Sequence, residues 1–354
     1  MRVPALLQNP RLAVAAALGA FALPALVLPC QAQSYRDGDQ VFAQAFAAEP
    51  GGRLVVDLSS EDVVLEPADG ASVRVAVFAR GRNSTEAFER KRFSASQDGQ
   101  TVYVKTDPDK RNGWRWNDDG ARFTVVVQIP QPFDVALDLS SGDVATTTLR
   151  GTRFVLNSSS GDLSADRLAF EQVVFDASSG GFEVGEVEGA LSIDVSSGDA
   201  TIERVRGERL VYDASSGDLE VGWADVEQLV FDASSGDLAA GRVTGEVIAK
   251  TSSGDVELGT VGGRLVASTS SGSVEATLLK AAPVAVDTGS GSVTLRLARG
   301  LGAELSADGG SVRIDGEVGF AGSVEDGKAR GRVGAGGPSV VVNTGSGSIR
   351  ILAQ

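Results

Sequence analysis

Apolar and polar residues alternate in short blocks along the chain between residues 136 and 354. Within a block every second residue is apolar, which is the pattern of a β-strand with one buried face. The positions predicted to be buried form triplets before a recurring Ser-Ser-Gly-Asp sequence: Leu191, Ile193 and Val195; Leu210, Tyr212 and Ala214; Leu229, Phe231 and Ala233; Leu265, Ala267 and Thr269. A shorter pair follows, such as Leu219 and Val221, and then a glycine-rich corner such as Gly222. Each block is therefore predicted to be strand, tight turn, strand and loop.

The blocks repeat every 18 or 19 residues, and the glycine of the turn marks the period. This glycine recurs at Gly142, Gly161, Gly180, Gly198, Gly217, Gly236, Gly254 and Gly272, with weaker copies at Gly291, Gly310 and Gly347. The last interval spans 37 residues, so a degenerate copy is predicted near Gly327. A block of this length cannot bury its apolar face alone, whereas stacked blocks share one core. The sequence therefore predicts an all-β fold, a single-stranded parallel β-solenoid of the β-helix or β-roll type.

Residues 33–135 are less regular, and they are predicted to form a β-rich N-terminal cap with the first coils, continuous with the regular solenoid at 136–354. The segment 54–65, "LVVDLSSEDVVL", matches a coil. Charged, irregular segments such as 80–93 are expected at solenoid ends, because they cover exposed strand edges. At the other end, "SGSIRILAQ" is predicted to be the last coil, with Ile349 and Ile351 inward. Its bare edge is a predicted site of self-association.

The first 32 residues are predicted to be a secretory signal peptide. Arg2 and Arg11 precede an apolar stretch, and Cys30 and Ala32 occupy positions at which signal peptidase favours small residues. The apolar stretch is shorter than the roughly 20 residues of a membrane span, so the mature chain is expected to contain no transmembrane segment. Lipidation of Cys30 is the alternative, although Pro29 stands where a small residue is usual. The protein is expected to be exported, either to the bacterial periplasm or to the cell surface and exterior.

Composition argues against most kinds of catalytic site. The sequence has no histidine, which excludes Ser-His-Asp and Cys-His catalysis and the usual histidine-containing metal sites. The string Asp287-Thr288-Gly289-Ser290 resembles an aspartic-protease loop, but it falls on the coil period as a variant turn. A glycan-active β-helix enzyme stays as an alternative, because carboxylates about 5 Å apart can carry out retaining hydrolysis. The prediction is a protein that is not an enzyme and has no catalytic residues.

Stacked coils would align equivalent side chains into columns. A turn column would contain Asp143, Asp162, Asp199, Asp218, Asp237 and Asp255. A second column would contain Asp138, Asn157, Asp176, Asp194, Asp213 and Asp232, followed by Lys250. Glycine permits positive φ, and Ser and Asp side chains bond to nearby backbone, so the turn is first of all a corner. Stacked carboxylates repel one another, which raises pKa values or favours a cation.

No cofactor or metal is therefore predicted, and binding of calcium (Ca2+) by the turn column stays as an alternative. Asp176, Asp194, Asp213 and Asp232 are predicted to contact a partner. Trp114 and Trp116 are further candidates, because two aromatic rings on one side of an extended chain can grip a sugar or an apolar side chain. They could equally form a small core under the cap. The net charge of −15 disfavours nucleic acid and favours a cationic peptide or protein as partner.

The residues 50–67, "PGGRLVVDLSSEDVVLEP", the strand "VVVQIP" at 125–130 and the serial "SSGDV" and "SSGDL" coils resemble the bacterial putative-adhesin family of exported β-strand-repeat proteins, a domain of unknown function. The resemblance covers nearly all of the chain after the signal peptide. It implies a solenoid on the cell envelope and supplies no catalytic residues. The expected function is adhesion, scaffolding or ligand binding through an acidic Ser/Asp face. An envelope-stress sensor that binds cationic peptides is the alternative, because related modules take part in such sensing.

Overall fold

The computed structural model describes Arg36, residues 38–106 and residues 120–354. The strands in these residues belong to one continuous β-sheet that is wound into a parallel β-solenoid. Successive coils pair in parallel and in register, so that Leu210 lies beside Leu191 in one direction and Leu229 in the other. The apolar side of every coil points inward and forms one core along the rod. The predicted fold class is confirmed.

The N-terminal end has an order in space that differs from its order in sequence. Its elements are β1 (Asp39–Ala47), β2 (Arg53–Leu58), β3 (Asp62–Ala68), β4 (Ser72–Arg80), α1 (Ser84–Arg90), β5 (Phe93–Asp98), β6 (Thr101–Thr106) and β7 (Arg122–Pro130). Strand β2 pairs with β6 on one side and with the later strand β8 (Asp134–Ser141) on the other. Strand β3 pairs in the same way with β7 and with β9 (Val144–Ser160). The coil made by β2 and β3 therefore lies between the coil made by β6 and β7 and the coil made by β8 and β9. Strands β1, β4 and β5 add antiparallel strands at this end.

The central coils carry long strands that bend with the coil. They are β8 (Asp134–Ser141), β9 (Val144–Ser160), β10 (Leu163–Ser179), β11 (Phe182–Ser197), β12 (Ala200–Ser216) and β13 (Leu219–Ser235). The predicted triplets are buried; Leu210 and Tyr212 are fully covered and Ala214 is 6% exposed. The predicted loop is instead a third strand segment, because Leu168 and its counterpart Val187 point into the core there.

Shorter strands continue the rod with the same stacking. They are β14 (Leu238–Val243), β15 (Glu246–Thr251), β16 (Val256–Val261), β17 (Leu265–Thr269), β18 (Val274–Leu278), β19 (Val284–Thr288) and β20 (Val293–Leu297). Strands β14, β16, β18 and β20 stack on one side of the turn. Strands β15, β17 and β19 stack on the other side.

The C-terminal end corrects two expectations. Its elements are β21 (Ala303–Asp308), β22 (Ser311–Ile314), a 3-10 helix (Gly316–Val318), β23 (Phe320–Glu325), β24 (Lys328–Val333), β25 (Ser339–Thr344) and β26 (Ser348–Ala353). The expected bare edge at Ile349 and Ile351 is wrong, because β26 pairs with both β20 and β22. The expected degenerate coil near Gly327 is also wrong, because Gly327 lies between the antiparallel strands β23 and β24. The outermost coil is made by β21 and β22. Strands β25 and β26 come later in the sequence but lie between that coil and the coil made by β19 and β20.

The turn glycines are required by close stacking more than by backbone conformation. A Cβ atom on Gly217 would lie 2.0 Å from the carbonyl oxygen of Gly198 in the neighbouring coil. The same contact recurs along the turns, at 2.1 Å for Gly236 and 1.8 Å for Gly254. Among the described turn glycines from Gly142 to Gly291, Gly217 alone has a φ in the positive range. The expectation that these glycines supply positive φ is therefore wrong for most of them.

Candidate functional site

The turn column is a ladder of hydrogen bonds between coils. In each bond, an aspartate Oδ1 accepts the backbone N–H of the equivalent residue one coil later. The pairs are Asp143 to Asp162 (3.0 Å), Asp162 to Gly181 (2.7 Å), Asp199 to Asp218 (3.0 Å), Asp218 to Asp237 (2.8 Å), Asp237 to Asp255 (2.8 Å) and Asp255 to Ser273 (2.7 Å). The carboxylate thus takes the place of a backbone carbonyl at the corner. This role is structural, and it occupies one oxygen of each carboxylate.

The first member of this ladder is Asp62, whose Oδ1 accepts the N–H of Asp143 at 3.2 Å. Partial burial raises the pKa of Asp62 above its usual value, and the hydrogen bond from Asp143 lowers it by less. The described residues contain no group of three or more Asp, Glu, Cys or His side chains arranged to hold a metal ion.

The second column is also aligned, and its side chains point outward from the strand before the turn. Asp176 pairs directly with Asp194, Asp194 with Asp213, and Asp213 with Asp232. We call these four residues the acidic column. Asn157 and Asp138 precede them and Lys250 follows Asp232 in the same register. The four side chains are exposed, and the strands that carry them lie about 4.8 Å apart.

Charge accumulates in the acidic column because its members are not neutralised nearby. Within residues 38–106 and 120–354, no Lys or Arg nitrogen lies within 4.0 Å of a carboxylate of the column. Partial desolvation raises the pKa of Asp194 above its usual value, and the charges of Asp176 and Asp213 raise it further. A bound cation would relieve this repulsion. The column can therefore act as an electrostatic docking surface.

The strand surface next to the acidic column was not recognised as a feature from the sequence. Two residues before the column, the outward positions are Val174, Ser192, Val211 and Val230. On the other side lie the exposed serines Ser179, Ser197 and Ser216, aligned as predicted. The sequence did contain a signal for these apolar positions, because β-branched residues occur where the alternation predicts polar ones.

The tryptophans do not build a sugar-binding platform in the part of the chain that the structure describes. Trp114 and Trp116 lie outside the described residues. Trp223 is 38% exposed, but the guanidinium groups of Arg204 and Arg242 cover its ring from adjacent coils, at 4.6 and 5.0 Å from the ring centroid. Because the two arginines flank it along the rod, a sugar ring has no open face of this indole on which to stack.

A groove is present elsewhere, on the outer surface of the N-terminal sheet. Its volume is about 440 Å³, and Arg36, Gln40, Arg74, Phe78 and Gln128 are among the residues that line it. No member of the acidic column lines this groove. No helix among the described residues has the length and apolar character needed to span a membrane.

Comparison with known proteins identifies one matching family model, described as Toastrack DUF4097, which aligns with residues 52–260 and 189–352. No curated protein matches the sequence. A solved structure named "putative adhesin" from Parabacteroides distasonis ATCC 8503 is 13% identical, with 90% of this chain and 98% of that chain covered and a TM-score of 0.36. A "putative lipid binding protein" from the same organism is 12% identical, with coverages of 89% and 98% and a TM-score of 0.35. A "putative adhesin" from Parabacteroides merdae ATCC 43184 is 12% identical, with coverages of 73% and 97% and a TM-score of 0.36. Scores this low support no inference about function.

Proposed function

The chain belongs to the Toastrack DUF4097 family, and we propose that it is a non-enzymatic binding rod of the bacterial cell envelope whose acidic column docks a positively charged partner. The observation that carries this proposal is the direct register of Asp176, Asp194, Asp213 and Asp232 on four neighbouring coils. Export rests on the signal peptide predicted at residues 1–32.

The chemistry of the column favours a partner with several lysines or arginines. Each ionised carboxylate raises the free energy of its neighbours, so a row of cationic groups gains more from this surface than a single cation does. Exposed rows of one charge sign increase association rates and select partners, and salt weakens both effects. The partner is therefore a cationic peptide or a protein of the envelope with a basic surface.

The same geometry argues against catalysis at the column. A retaining glycoside hydrolase uses one pair of carboxylates with different environments, held in a cleft that grips the sugar. Here Asp176 and Asp194 are in-register neighbours on adjacent coils, and so are Asp213 and Asp232, so the register distinguishes neither pair from the other. In the turn column, one oxygen of each carboxylate is already bonded to the backbone. Binding is therefore the activity that these residues support best.

A binding experiment with a fluorescent oligo-lysine peptide tests the proposal. The column variant replaces Asp176, Asp194, Asp213 and Asp232 with Asn, and a control variant with the same change in charge replaces Glu183, Glu203, Glu220 and Glu257 with Gln. We expect salt-sensitive binding that falls about tenfold or more in the column variant and by less than about threefold in the control. Equal loss in both variants would show that net charge alone attracts the peptide, and would overturn the proposal.

A further inference from the structure

An apolar stripe runs along the outside of the rod beside the acidic column. It consists of Val55, Ala136, Val155, Val174, Ser192, Val211, Val230, Ile248, Val266, Ala285 and Val341, each in register with the next. All of these side chains point away from the core, and all keep some solvent exposure. Parallel strands with apolar residues on both faces are typical of sheets that are covered on both sides. The stripe therefore indicates a surface that another molecule covers.

The two flanks of the stripe differ in charge. The acidic column and its in-register neighbours lie on one flank. On the other flank lie Arg53, Asp134, Arg153, Gln172, Ala190, Arg209, Gln228, Glu246 and Arg264, which we call the basic flank. Two members of this flank are acidic, Asp134 and Glu246, and Oδ1 of Asp134 accepts the N–H groups of Thr152 and Arg153. The surface is thus apolar in the middle, with the acidic column on one flank and four arginines on the other.

The residues on the two flanks carry opposite charges on three coils, at Arg53 and Asp57, at Arg209 and Asp213, and at Glu246 and Lys250. Arg209 stands across the stripe from Asp213 in the same strand. In the coil directly after the acidic column, Lys250 stands in register with Asp232, and the residue across the stripe is Glu246. The signs are therefore exchanged on both flanks of that strand. Glu246 also meets Arg264 of its own flank at 3.2 Å.

This arrangement is complementary to itself under one symmetry. A two-fold axis parallel to the rod places the stripe of one copy on the stripe of another, and each basic flank opposite an acidic one. Arg209 of each copy then faces Asp213 of the other, and Glu246 faces Lys250. An axis perpendicular to the rod would instead place the two acidic flanks together. We propose that the stripe is covered by a second copy of this chain, packed face to face with the two rods parallel.

The area is sufficient for a weak but specific dimer. The ten steps from Val55 to Val341 cover about 48 Å at about 4.8 Å per coil, and five residues across the stripe and its flanks span about 13 Å. Each copy therefore buries about 600 Å², or about 1,200 Å² in total, which is the lower limit of stable interfaces. Dimerisation is expected to depend on protein concentration. The dimer covers the acidic column, so a second copy is expected to compete with the cationic partner of the proposed function.

Charge exchange tests the pairing in analytical ultracentrifugation. Arg209→Asp and Asp213→Arg each place like charges opposite one another, so each is expected to raise the dimer dissociation constant about tenfold or more. The double variant restores opposite charges and is expected to return most of the wild-type affinity. The control Arg150→Asp makes the same charge change on another strand segment and should leave dimerisation unchanged. A wild-type protein that stays monomeric at high concentration, or a double variant weaker than either single one, would overturn the dimer.

Single cysteines test the direction of the two rods. In a Cys30→Ser background, Val174→Cys and Val266→Cys are made separately and treated with a short bismaleimide linker. A two-fold axis parallel to the rod sets each position opposite its own copy, so both variants should cross-link to covalent dimers, while Glu183→Cys should not. If both stripe variants stay monomeric while oligo-lysine still binds the acidic column, the dimer is wrong and the proposed function stands. If oligo-lysine does not bind at a protein concentration at which the chain is monomeric, while cross-linking succeeds at a higher concentration, only the proposed function is wrong.

Discussion

Oδ1 of Asp218 accepts a 2.8 Å hydrogen bond from the backbone N–H of Asp237, its counterpart in the next coil. Asp213 precedes Asp218 by five residues, and its exposed carboxylate accepts no such bond in the part of the chain that the structure describes. The two aspartates of one repeat therefore differ in role. The one in the turn holds neighbouring coils together, and the one before the turn is free to meet a partner.

Removal of the two carboxylates should accordingly have different effects on stability. Asp218→Ala leaves a corner N–H without its acceptor and is expected to lower the free energy of unfolding by about 1–2 kcal/mol. Asp213→Ala removes an exposed side chain and should change it by no more than about 0.5 kcal/mol. Urea unfolding, monitored by circular dichroism, compares the stabilities of the two variants. Equal losses would contradict the assigned roles.

Glycine should be essential in the turn but dispensable one residue later. Gly217→Ala places a Cβ 2.0 Å from the Gly198 carbonyl oxygen and 2.7 Å from the Tyr212 hydroxyl oxygen. The free energy of unfolding is therefore expected to fall by about 3 kcal/mol or more. At Gly181 the nearest atom to an added Cβ is Asp162 Oδ1 at 3.5 Å. Gly181→Ala is therefore the control. Its free energy of unfolding is expected to rise by about 0.5 kcal/mol, because alanine reduces the conformational entropy of the unfolded chain. Thermal unfolding distinguishes them, and similar melting temperatures would refute the close-stacking argument.

In the coil made by β2 and β3, Glu61 occupies the position of the turn glycine, and its buried carboxylate forms an ion pair with Lys91. Glu61 is 1% exposed; its Oε1 lies 2.8 Å from Lys91 Nζ, and its Oε2 accepts the N–H groups of Ser59 and Ser60. Lys91→Met leaves the buried charge without its partner and is expected to cost about 3 kcal/mol. Adding Glu61→Gly should recover most of that loss, because it restores the turn residue of the other coils. A double variant less stable than Lys91→Met in urea would contradict this pairing.

Repulsion within the acidic column should make stability depend on pH. The pKa of Asp194 is raised in the folded protein, so its contribution to stability is complete below the unfolded pKa and is lost as pH rises through the folded pKa. Asp194→Asn removes this penalty and should raise the melting temperature at neutral pH. The expected gain in the free energy of unfolding is up to about 0.5 kcal/mol, as is usual for an exposed charge. The difference from wild type should vanish in acid. A lower melting temperature for Asp194→Asn at neutral pH would show that the carboxylate stabilises the fold.

The sequence was sufficient for the repeat and the core because both depend on local alternation. Leu210, Tyr212 and Ala214 repeat at the coil period, and each occupies the buried position that the pattern predicts. The third strand segment was missed because one buried residue, such as Leu168, cannot establish an alternation by itself. The period also carries no information about order in space. Coils of similar sequence fit either position, so the insertion of β2 and β3, and of β25 and β26, could not be predicted.

The role of the turn was predicted less well than its existence. Positive φ was the expected reason for glycine, but the contact that excludes a side chain at Gly236 is made by Gly217, a full coil away. In the same way, the acceptor for the N–H of Asp255 is Asp237 in another coil. Such contacts exist only after stacking. The alignment of Asp194 with Asp213 followed from the period alone, and its use as a binding surface remains a prediction.

Zero-length carbodiimide coupling between an oligo-lysine peptide and the protein, read out by mass spectrometry, identifies the carboxylates that a cationic partner contacts. The reagent joins an amine only to a carboxylate in direct contact with that amine. Coupling is expected to be concentrated at Asp176, Asp194, Asp213 and Asp232 and to be suppressed by salt. Coupling spread evenly over Glu183, Glu203, Glu220 and Glu257 as well would contradict this expectation, because the peptide would then be attracted by net charge and not by the aligned column.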